Sequence, residues 1–355
     1  MGQFLGFGSG SDGALTISTN TTQAPIDASC SGTSGATALT ATNASFAADQ
    51  YVLIIQMRGT GVGAYEVNKI SSYSAGTITL QLPLSNTYTD SVGGADQAQV
   101  VVLSQYTGVT IDAGVTLTAK AWDGDVGGVL AFLVNGTLTV NGTISGTGKG
   151  FRGGPNSGNA GEGTVGGFVS QKIANGNGGG ASDDDRASGA GGGNGLAGSD
   201  GGALSGFSSD AGIGGSTSGT ADLTTMTMGG GGGASFGASF GTGAAGGAII
   251  FIMASVLTLG GSAAVVSNGN AGSAGTGAGG GGSGGSILVK TQTATAGTNL
   301  ITATGGSGGS GSGNGGNGGT GRIAMEACQL TGTTNPSNGS TIGGKSWCGA
   351  NLAIL

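Results

Sequence analysis

Few side chains in this 355-residue sequence could carry out catalysis. There is no histidine, which excludes Ser-His-Asp and Cys-His catalysis and zinc sites built on imidazole. The three glutamates, Glu66, Glu162 and Glu326, lie in different segments and predict no local carboxylate pair of the glycosidase type. Asp123 and Asp125 would share one face of a strand, but the glycines around them favour a turn. The sequence therefore predicts a protein that is not an enzyme.

One acidic run is a candidate for a metal ion. Asp183, Asp184 and Asp185 are consecutive and precede Arg186, and carboxylates clustered on a loop can bind Ca²⁺. The alternative is a solvated loop without a ligand. The calcium-binding G-G-x-G-x-D repeat is absent, because the run at 192–195 continues with Leu-Ala. Sequences similar to the nucleotide-binding motif GxGxxG occur because the glycine content is high, and none of them opens a predicted helix. We therefore expect the protein to bind no nucleotide and no other cofactor.

Large apolar side chains in the glycine-rich part of the chain are the candidates for binding a partner. Aromatic anchors in polar surroundings are common at the centres of protein interfaces. The alternative is that these side chains fill gaps between layers of glycine. The candidates are Phe168, Phe207, Met226, Met228, Phe236 and Phe240.

The three cysteines allow two interpretations. Cys328 and Cys348 could close the C-terminal segment with a disulfide and leave Cys30 unpaired. Three reduced, buried thiols are equally compatible with the spacing.

The overall charge restricts the class of partner. The net charge is −7 and the isoelectric point is near 4.3, which argues against nucleic acid and anionic membranes. No apolar run reaches the length of a membrane span. The first residues contain neither the basic nor the apolar part of a signal peptide, which favours a virion component released by lysis.

A repeated pattern of short strands organises the chain. Residues 127–150 contain Val, Leu, Ile, Thr and Phe in strand-length runs separated by Asn-Gly turns. The pattern returns from Gly246, Gly284 and Gly318, at spacings typical of stacked β arrays. We therefore expect equivalent segments to stack as rungs with their apolar side chains inward. These segments are Val129–Val134, Ile249–Met253 and Ile287–Val289.

The sequence predicts an all-β protein with four parts. Residues 1–42 are expected to form an extended arm, and residues 43–106 a small β-barrel or sandwich. Residues 107–330 are expected to form a β-helix or solenoid, with a glycine-rich insertion at 148–245. Residues 331–355 are expected to form a C-terminal tail.

Glycine recurs at every third position in several runs. Gly189, Gly192, Gly195, Gly198 and Gly201 form one such run. A period of three matches a polyproline II-type helix, and glycine lets such helices approach closely. Collagen is excluded because the runs are short, their phase shifts and the chain has only four prolines.

The pattern of strands that lead into glycine runs of period three resembles that of the receptor-binding adhesins at the tips of T-even-like phage long tail fibres. The resemblance covers roughly residues 148–320 and implies polyglycine II helices packed into a sandwich, with binding loops at the far end. The segments AWDGDVGGVLAF and NGTLTVNGTISGTGKGFRGG also resemble other glycine-rich phage tail and bacterial surface proteins. The strands of Val, Ile and Leu between the glycine runs depart from the adhesin pattern. They make a β-helix with glycine-rich loops equally compatible with the sequence.

These features predict a phage tail-fibre or adhesin protein that contacts a host surface receptor or glycan. It would act on the virion tail or an extracellular surface, as a homo-oligomer or beside other subunits. A structural surface or filament protein, viral or bacterial, is the alternative, with the glycine-rich region packing subunits. A polysaccharide depolymerase is a more distant third.

Overall fold

The computed structural model describes residues 6–91, 94–340, 342, 343 and 348. Within these residues the chain is all-β, and its one helical element is a 3₁₀ turn at Ser208–Asp210. Its sixteen strands are β1 Ala14–Ile17, β2 Thr21–Thr22, β3 Asp27–Ser31, β4 Ala38–Ala41, β5 Tyr51–Arg58, β6 Tyr65–Ser74, β7 Thr77–Leu80, β8 Gln97–Tyr106, β9 Gly108–Ile111, β10 Thr116–Thr118, β11 Val129–Val140, β12 Thr143–Ser145, β13 Ile249–Leu259, β14 Ala264–Val266, β15 Ser286–Thr302 and β16 Arg322–Asn335. No helix among the described residues is long and apolar enough to cross a membrane.

Strands β3 to β8 form a closed antiparallel barrel. Each strand pairs with two others, in the ring β3–β4–β7–β6–β5–β8 and back to β3. The interior is filled by alternating apolar side chains such as Val52, Ile54 and Val100. Strands β3 and β4 lie in the segment expected to be an extended arm. They complete the ring instead, because β4 turns Leu39 and Ala41 into the same core.

The solenoid is built on four long parallel strands in the order β11–β13–β15–β16. Val129 pairs with Ile249, Ile250 with Ile287, and Ile287 with Ile323. The three segments predicted to stack as equivalent rungs are therefore neighbours in one sheet, as expected. The register aligns the apolar pattern of each strand with that of the next.

Both faces of this sheet are buried. One face, with Leu130, Ile250 and Ile287, packs into the core of the solenoid. The other, with Leu133 and Phe251, packs against the barrel. Burial on both sides explains why these strands read as continuous apolar runs rather than alternating ones.

A second set of parallel pairings completes each rung. Strand β10 pairs with β2 and β12, and β14 pairs with β12 and the end of β15. Strand β9 pairs with β1 and with the second half of β11. Residues 14–22 are therefore the first rung of the solenoid, and the barrel is inserted between this rung and the second.

Glycine-rich segments connect successive rungs. We call residues 150–154, 159–163, 177–182, 187–203, 211–218, 228–235, 241–248, 267–285 and 303–321 the glycine lattice. The segment 228–235 lies at its centre and has backbone hydrogen bonds to six neighbouring segments, whereas a strand in a sheet has two neighbours. Representative bonds are Gly154 N–H to Gly232 (2.9 Å), Gly231 N–H to Glu162 (3.0 Å), Gly179 N–H to Gly231 (2.8 Å), Gly233 N–H to Ala190 (2.9 Å), Gly232 N–H to Ala244 (2.8 Å) and Gly280 N–H to Gly233 (2.9 Å).

Close approach explains the glycine content of this lattice. A Cβ atom added to Gly230 would lie 1.8 Å from the carbonyl oxygen of Asn177, and one added to Gly232 would lie 2.1 Å from that of Gly280. No side chain fits between backbones at these separations. The segments are therefore held mainly by backbone hydrogen bonds rather than by side-chain burial.

The C-terminal segment covers the outer edge of β16. Gly339 N–H donates to Ile323 and Gly343 N–H to Ala327, each at 2.8 Å. Cys328 and Cys348 form a disulfide, and Cys30 is a free, buried thiol in the barrel. The last strand of the solenoid therefore does not present an open edge along this stretch.

Candidate binding surface at the end of the glycine lattice

Four loops of the glycine lattice meet at the end that lies away from the strands. We call residues 155–158, 183–186, 204–210 and 236–240 the tip. Gly237 N–H donates to the Ser157 hydroxyl at 2.9 Å, and Leu204 N–H to the Arg186 carbonyl at 3.0 Å. Asp183 N–H donates to the carbonyl of Asp210 at 3.1 Å. These bonds join the loops in two pairs. The pairs meet where Gly237 packs against Asp185, since a Cβ added to Gly237 would lie 2.8 Å from the Asp185 Cβ.

Arg186 organises one half of the tip. Its Nε and Nη2 donate to the two carboxylate oxygens of Asp184 at 2.9 and 3.0 Å. Its guanidinium carbon lies 3.8 Å from the centre of the half-buried Phe207 ring. Hydrogen bonding from Arg186 lowers the pKa of Asp184 to about 2. Asp184 is therefore ionised at neutral pH and holds the arginine flat against the ring.

Phe236 dominates the other half of the tip. Its side chain is 45% exposed, although its backbone N–H is fixed by the Ser182 hydroxyl at 2.9 Å. Phe240 follows in the same loop and is half-buried. Leu204 is 43% exposed on the loop that contacts Arg186. The tip therefore offers apolar surface on a backbone that the lattice holds in place.

The other predicted partner-binding residues lie elsewhere. Met226 and Met228 are fully buried between the barrel and the long parallel sheet, so they fill the core and do not face a partner. Phe168 is half-buried with the Arg152 guanidinium 4.9 Å from its ring centre, outside the tip. Sequence spacing gave no signal that separated these three residues from Phe207, Phe236 and Phe240.

The acidic run is paired with cations. Asp183 lies 3.1 Å from the Lys172 ammonium, and Asp184 and Asp185 both face Arg186. No group of three or more His, Cys, Asp or Glu side chains in the described part of the chain is arranged to hold a metal ion. The structure does not bring these three carboxylates together as a Ca²⁺ site.

A buried ion cluster fixes the lattice to the barrel. Glu162 is fully buried and accepts from Arg152 at 2.7 and 2.8 Å, while Arg58 at the end of β5 lies 3.4 Å away. Burial lowers the pKa of Arg58, and hydrogen bonding to Glu162 raises that of Arg152. Sequence reasoning treated Glu162 only as an isolated glutamate, because its partners are distant along the chain.

Asp123 and Asp125 lie in a turn before β11. The Asp123 carboxylate accepts the backbone N–H groups of Asp125 and Val126 at 2.9 Å each. Asp125 faces Asp90 across a cleft on the barrel. Sequence reasoning missed Asp90, since nothing in the local pattern connects it to Asp125.

No protein-family model and no curated protein sequence matches this chain. Among solved structures it is similar to the Gp54 tailspike of Acinetobacter baumannii bacteriophage AP22, in complex with A. baumannii capsular saccharide. The TM-score is 0.24 at 8% identity, over 91% of this chain and 62% of that one. It is also similar to the tailspike gp49 of Pseudomonas phage LKA1, with a TM-score of 0.19 at 7% identity, over 91% of this chain and 67% of that one. TM-scores this low carry no argument about fold or function.

Proposed function

We propose that this protein is a non-enzymatic adhesin of a phage tail fibre that contacts a host surface receptor or glycan through its tip. The observation that carries the proposal is that the exposed Phe236 and the stacked pair Arg186 and Phe207 belong to one tip, on loops held by the glycine lattice. Such a protein would act on the virion tail or at an extracellular surface. Binding residues are commonly placed on loops that a rigid scaffold positions.

The glycine lattice is, in this proposal, a sandwich of polyglycine II helices. Its support is the three-residue glycine period together with the six hydrogen-bonded neighbours of residues 228–235. Hydrogen bonds in six directions limit the movement of each segment. The lattice therefore presents the tip loops with little loss of conformational entropy on binding.

The tip chemistry suits a saccharide. Aromatic faces such as that of Phe236 can cover the apolar face of a sugar ring, and carboxylates such as Asp185 accept hydrogen bonds from its hydroxyl groups. Asp184 of the tip stays ionised beside Arg186 and is therefore a poor proton donor, and the chain has no histidine. These two features support binding without cleavage.

A double variant tests this role of the tip. Phe236→Ala with Phe240→Ala should weaken attachment to host cells at least tenfold and leave the melting temperature nearly unchanged. The matched control is Val165→Ala, which removes an apolar side chain that is 60% exposed outside the tip. This control should leave attachment unchanged. A large fall in the melting temperature of the double variant would show that the rings fill gaps in the lattice, as buried phenylalanines do at about 3–5 kcal/mol each.

Cleavage assays test the absence of catalysis. The purified protein should leave host polysaccharide at its original chain length. Depolymerisation that disappears in Asp123→Asn or Asp125→Asn would contradict the adhesin proposal and favour an enzyme.

A structural surface or filament protein is the second candidate function. A second apolar surface favours it: Ile173 is 59% exposed and Ile213 is 48% exposed on the flank of the lattice. They are neighbours, because Ile213 N–H donates to the carbonyl of Lys172 at 2.9 Å. Burying this surface between copies would give a homo-oligomer. Ile173→Asp should then shift the mass in solution to that of a monomer, whereas an unchanged mass removes this support.

A further inference from the structure

A second polar site lies on the barrel, away from the tip. A cleft of about 300 Å³ opens between β3, the end of β4 and the turn that precedes β11. This volume is at the lower limit of small-molecule sites. Its lining includes Asp27, Cys30, Thr42, Asp90 and Asp125.

The cleft holds two carboxylates that have no cation in contact. Asp27 is neutralised by the Lys120 ammonium, at 2.9 and 3.1 Å from its two oxygens. Asp90 and Asp125 form no ion pair with any described residue. Burial raises the pKa of both carboxyl groups, and each is raised further by a neighbouring aspartate. The cleft therefore favours a positively charged occupant.

Buried polar atoms without partners mark the same place. The Oδ1 atom of Asp90 is buried and accepts no hydrogen bond. Gln97 lies behind the lining: it is 4% exposed, its Nε2 donates to the carbonyl of Ser91, next to Asp90, and its Oε1 also lacks a donor. The Cys30 thiol is 2% exposed, free and part of the lining. Buried acceptors nearly always have a donor, so the unpaired Oδ1 of Asp90 in the lining points to a donor that the chain does not supply.

We propose that this cleft binds a small ligand that carries an ammonium group beside hydroxyl groups, as an amino sugar does. The ammonium group lies between Asp90 and Asp125 and gives both carboxylates a charged donor. The ligand hydroxyls meet the polar wall that includes Thr42. A bare metal ion fits less well, because no group of three acidic or thiol ligands converges among the described residues. The site is independent of the tip.

Calorimetry with three sugars and one metal salt tests the proposal on the full-length protein. Glucosamine should bind at least tenfold more tightly than glucose or N-acetylglucosamine, which lack the ammonium group. Asp90→Asn and Asp125→Asn should each lower the glucosamine affinity at least tenfold. The matched control, Asp49→Asn, removes an aspartate whose side chain is 80% exposed on the same barrel and should change nothing. Melting temperatures that are no lower than that of the wild-type protein confirm that each variant folds.

Acidic pH provides a second measurement. The charged groups that face the pair are Asp27, Asp123, Lys120 and Arg58. Protonation of Asp90 and Asp125 on acidification removes their negative charge and should weaken glucosamine binding. The proposal is overturned if glucosamine and glucose bind equally, if glucosamine does not bind, or if both Asp→Asn variants retain wild-type affinity. Calcium binding that displaces glucosamine would identify a cation site instead.

Discussion

Replacing one central glycine of the lattice by alanine should destabilise the whole protein. In Gly232→Ala the new Cβ would lie 2.1 Å from the carbonyl oxygen of Gly280. The two segments must therefore separate by about 1 Å to reach an ordinary contact distance. Neither can move freely, because Gly232 also donates to Ala244 at 2.8 Å and accepts from Gly154 at 2.9 Å.

The expected loss follows from these contacts. Overpacking costs about 1–3 kcal/mol, and weakening two buried hydrogen bonds adds about 1–3 kcal/mol, giving roughly 2–6 kcal/mol. An unfolding entropy of about 2.1 cal/mol/K per residue converts this into a fall in melting temperature of roughly 3–8 °C for 355 residues. Alanine also restricts the unfolded chain, which offsets about 0.4–1 kcal/mol.

Scanning calorimetry with a matched control checks this value. Gly261 lies in the turn after β13, and a Cβ added there meets no atom within 4 Å. Gly261→Ala should therefore keep or slightly raise the melting temperature. Hydrogen exchange in Gly232→Ala should accelerate first in residues 228–235 and their six neighbouring segments. Equal melting temperatures for the two variants would refute the claim that glycine is required by close backbone approach.

Three further variants test other parts of the structure. Glu162→Gln leaves Arg58 and Arg152 without their carboxylate. The free energy of unfolding measured in urea should therefore fall by about 3–5 kcal/mol. A smaller fall would mean that water reaches the cluster. Cys328→Ser should speed amide exchange along β16, and unchanged exchange would show that the disulfide does not hold the covering segment. Asp90→Asn should raise the melting temperature at pH 7, because burial and Asp125 raise the pKa of Asp90 and so disfavour its ionised form in the folded protein. That gain should vanish below the unfolded pKa of about 3.9, where Asp90 is protonated in both states, and a gain that persists there would have another cause.

The strands of the solenoid could be predicted from the sequence because their pattern is local. Val129–Val134 and Ile249–Met253 are apolar runs of strand length that begin within two residues of a Gly-Gly pair. That the two runs are equivalent can be recognised by comparing one with the next. The parallel register between them confirms that reading.

The closure of the barrel could not be predicted, since it depends on distant pairing. Strand β3 is short and polar, and only its bonds to β4 and β8 place it in the barrel. Residues 14–17 likewise become a rung only through pairing with β9. Short polar strands carry little periodicity, so tertiary contacts decide their place.

Side-chain roles in the glycine-rich part were the least predictable. Met226 and Phe236 are both large apolar residues among glycines, but one is fully buried and the other is 45% exposed. Which of them faces solvent depends on where each lattice segment turns. That position is set by backbone contacts between segments far apart in the chain.

Exchange of one tip loop tests the central claim most directly. Residues 236–240 are replaced by a Gly-Ser loop of equal length, and the labelled protein is applied to a panel of bacterial strains and immobilised surface glycans. We predict that the wild-type protein binds a restricted set of strains, and that the exchanged protein loses this binding while its melting temperature is preserved. Wild-type binding by the loop-exchanged protein, or no selective binding by either protein, would contradict the adhesin role of the tip.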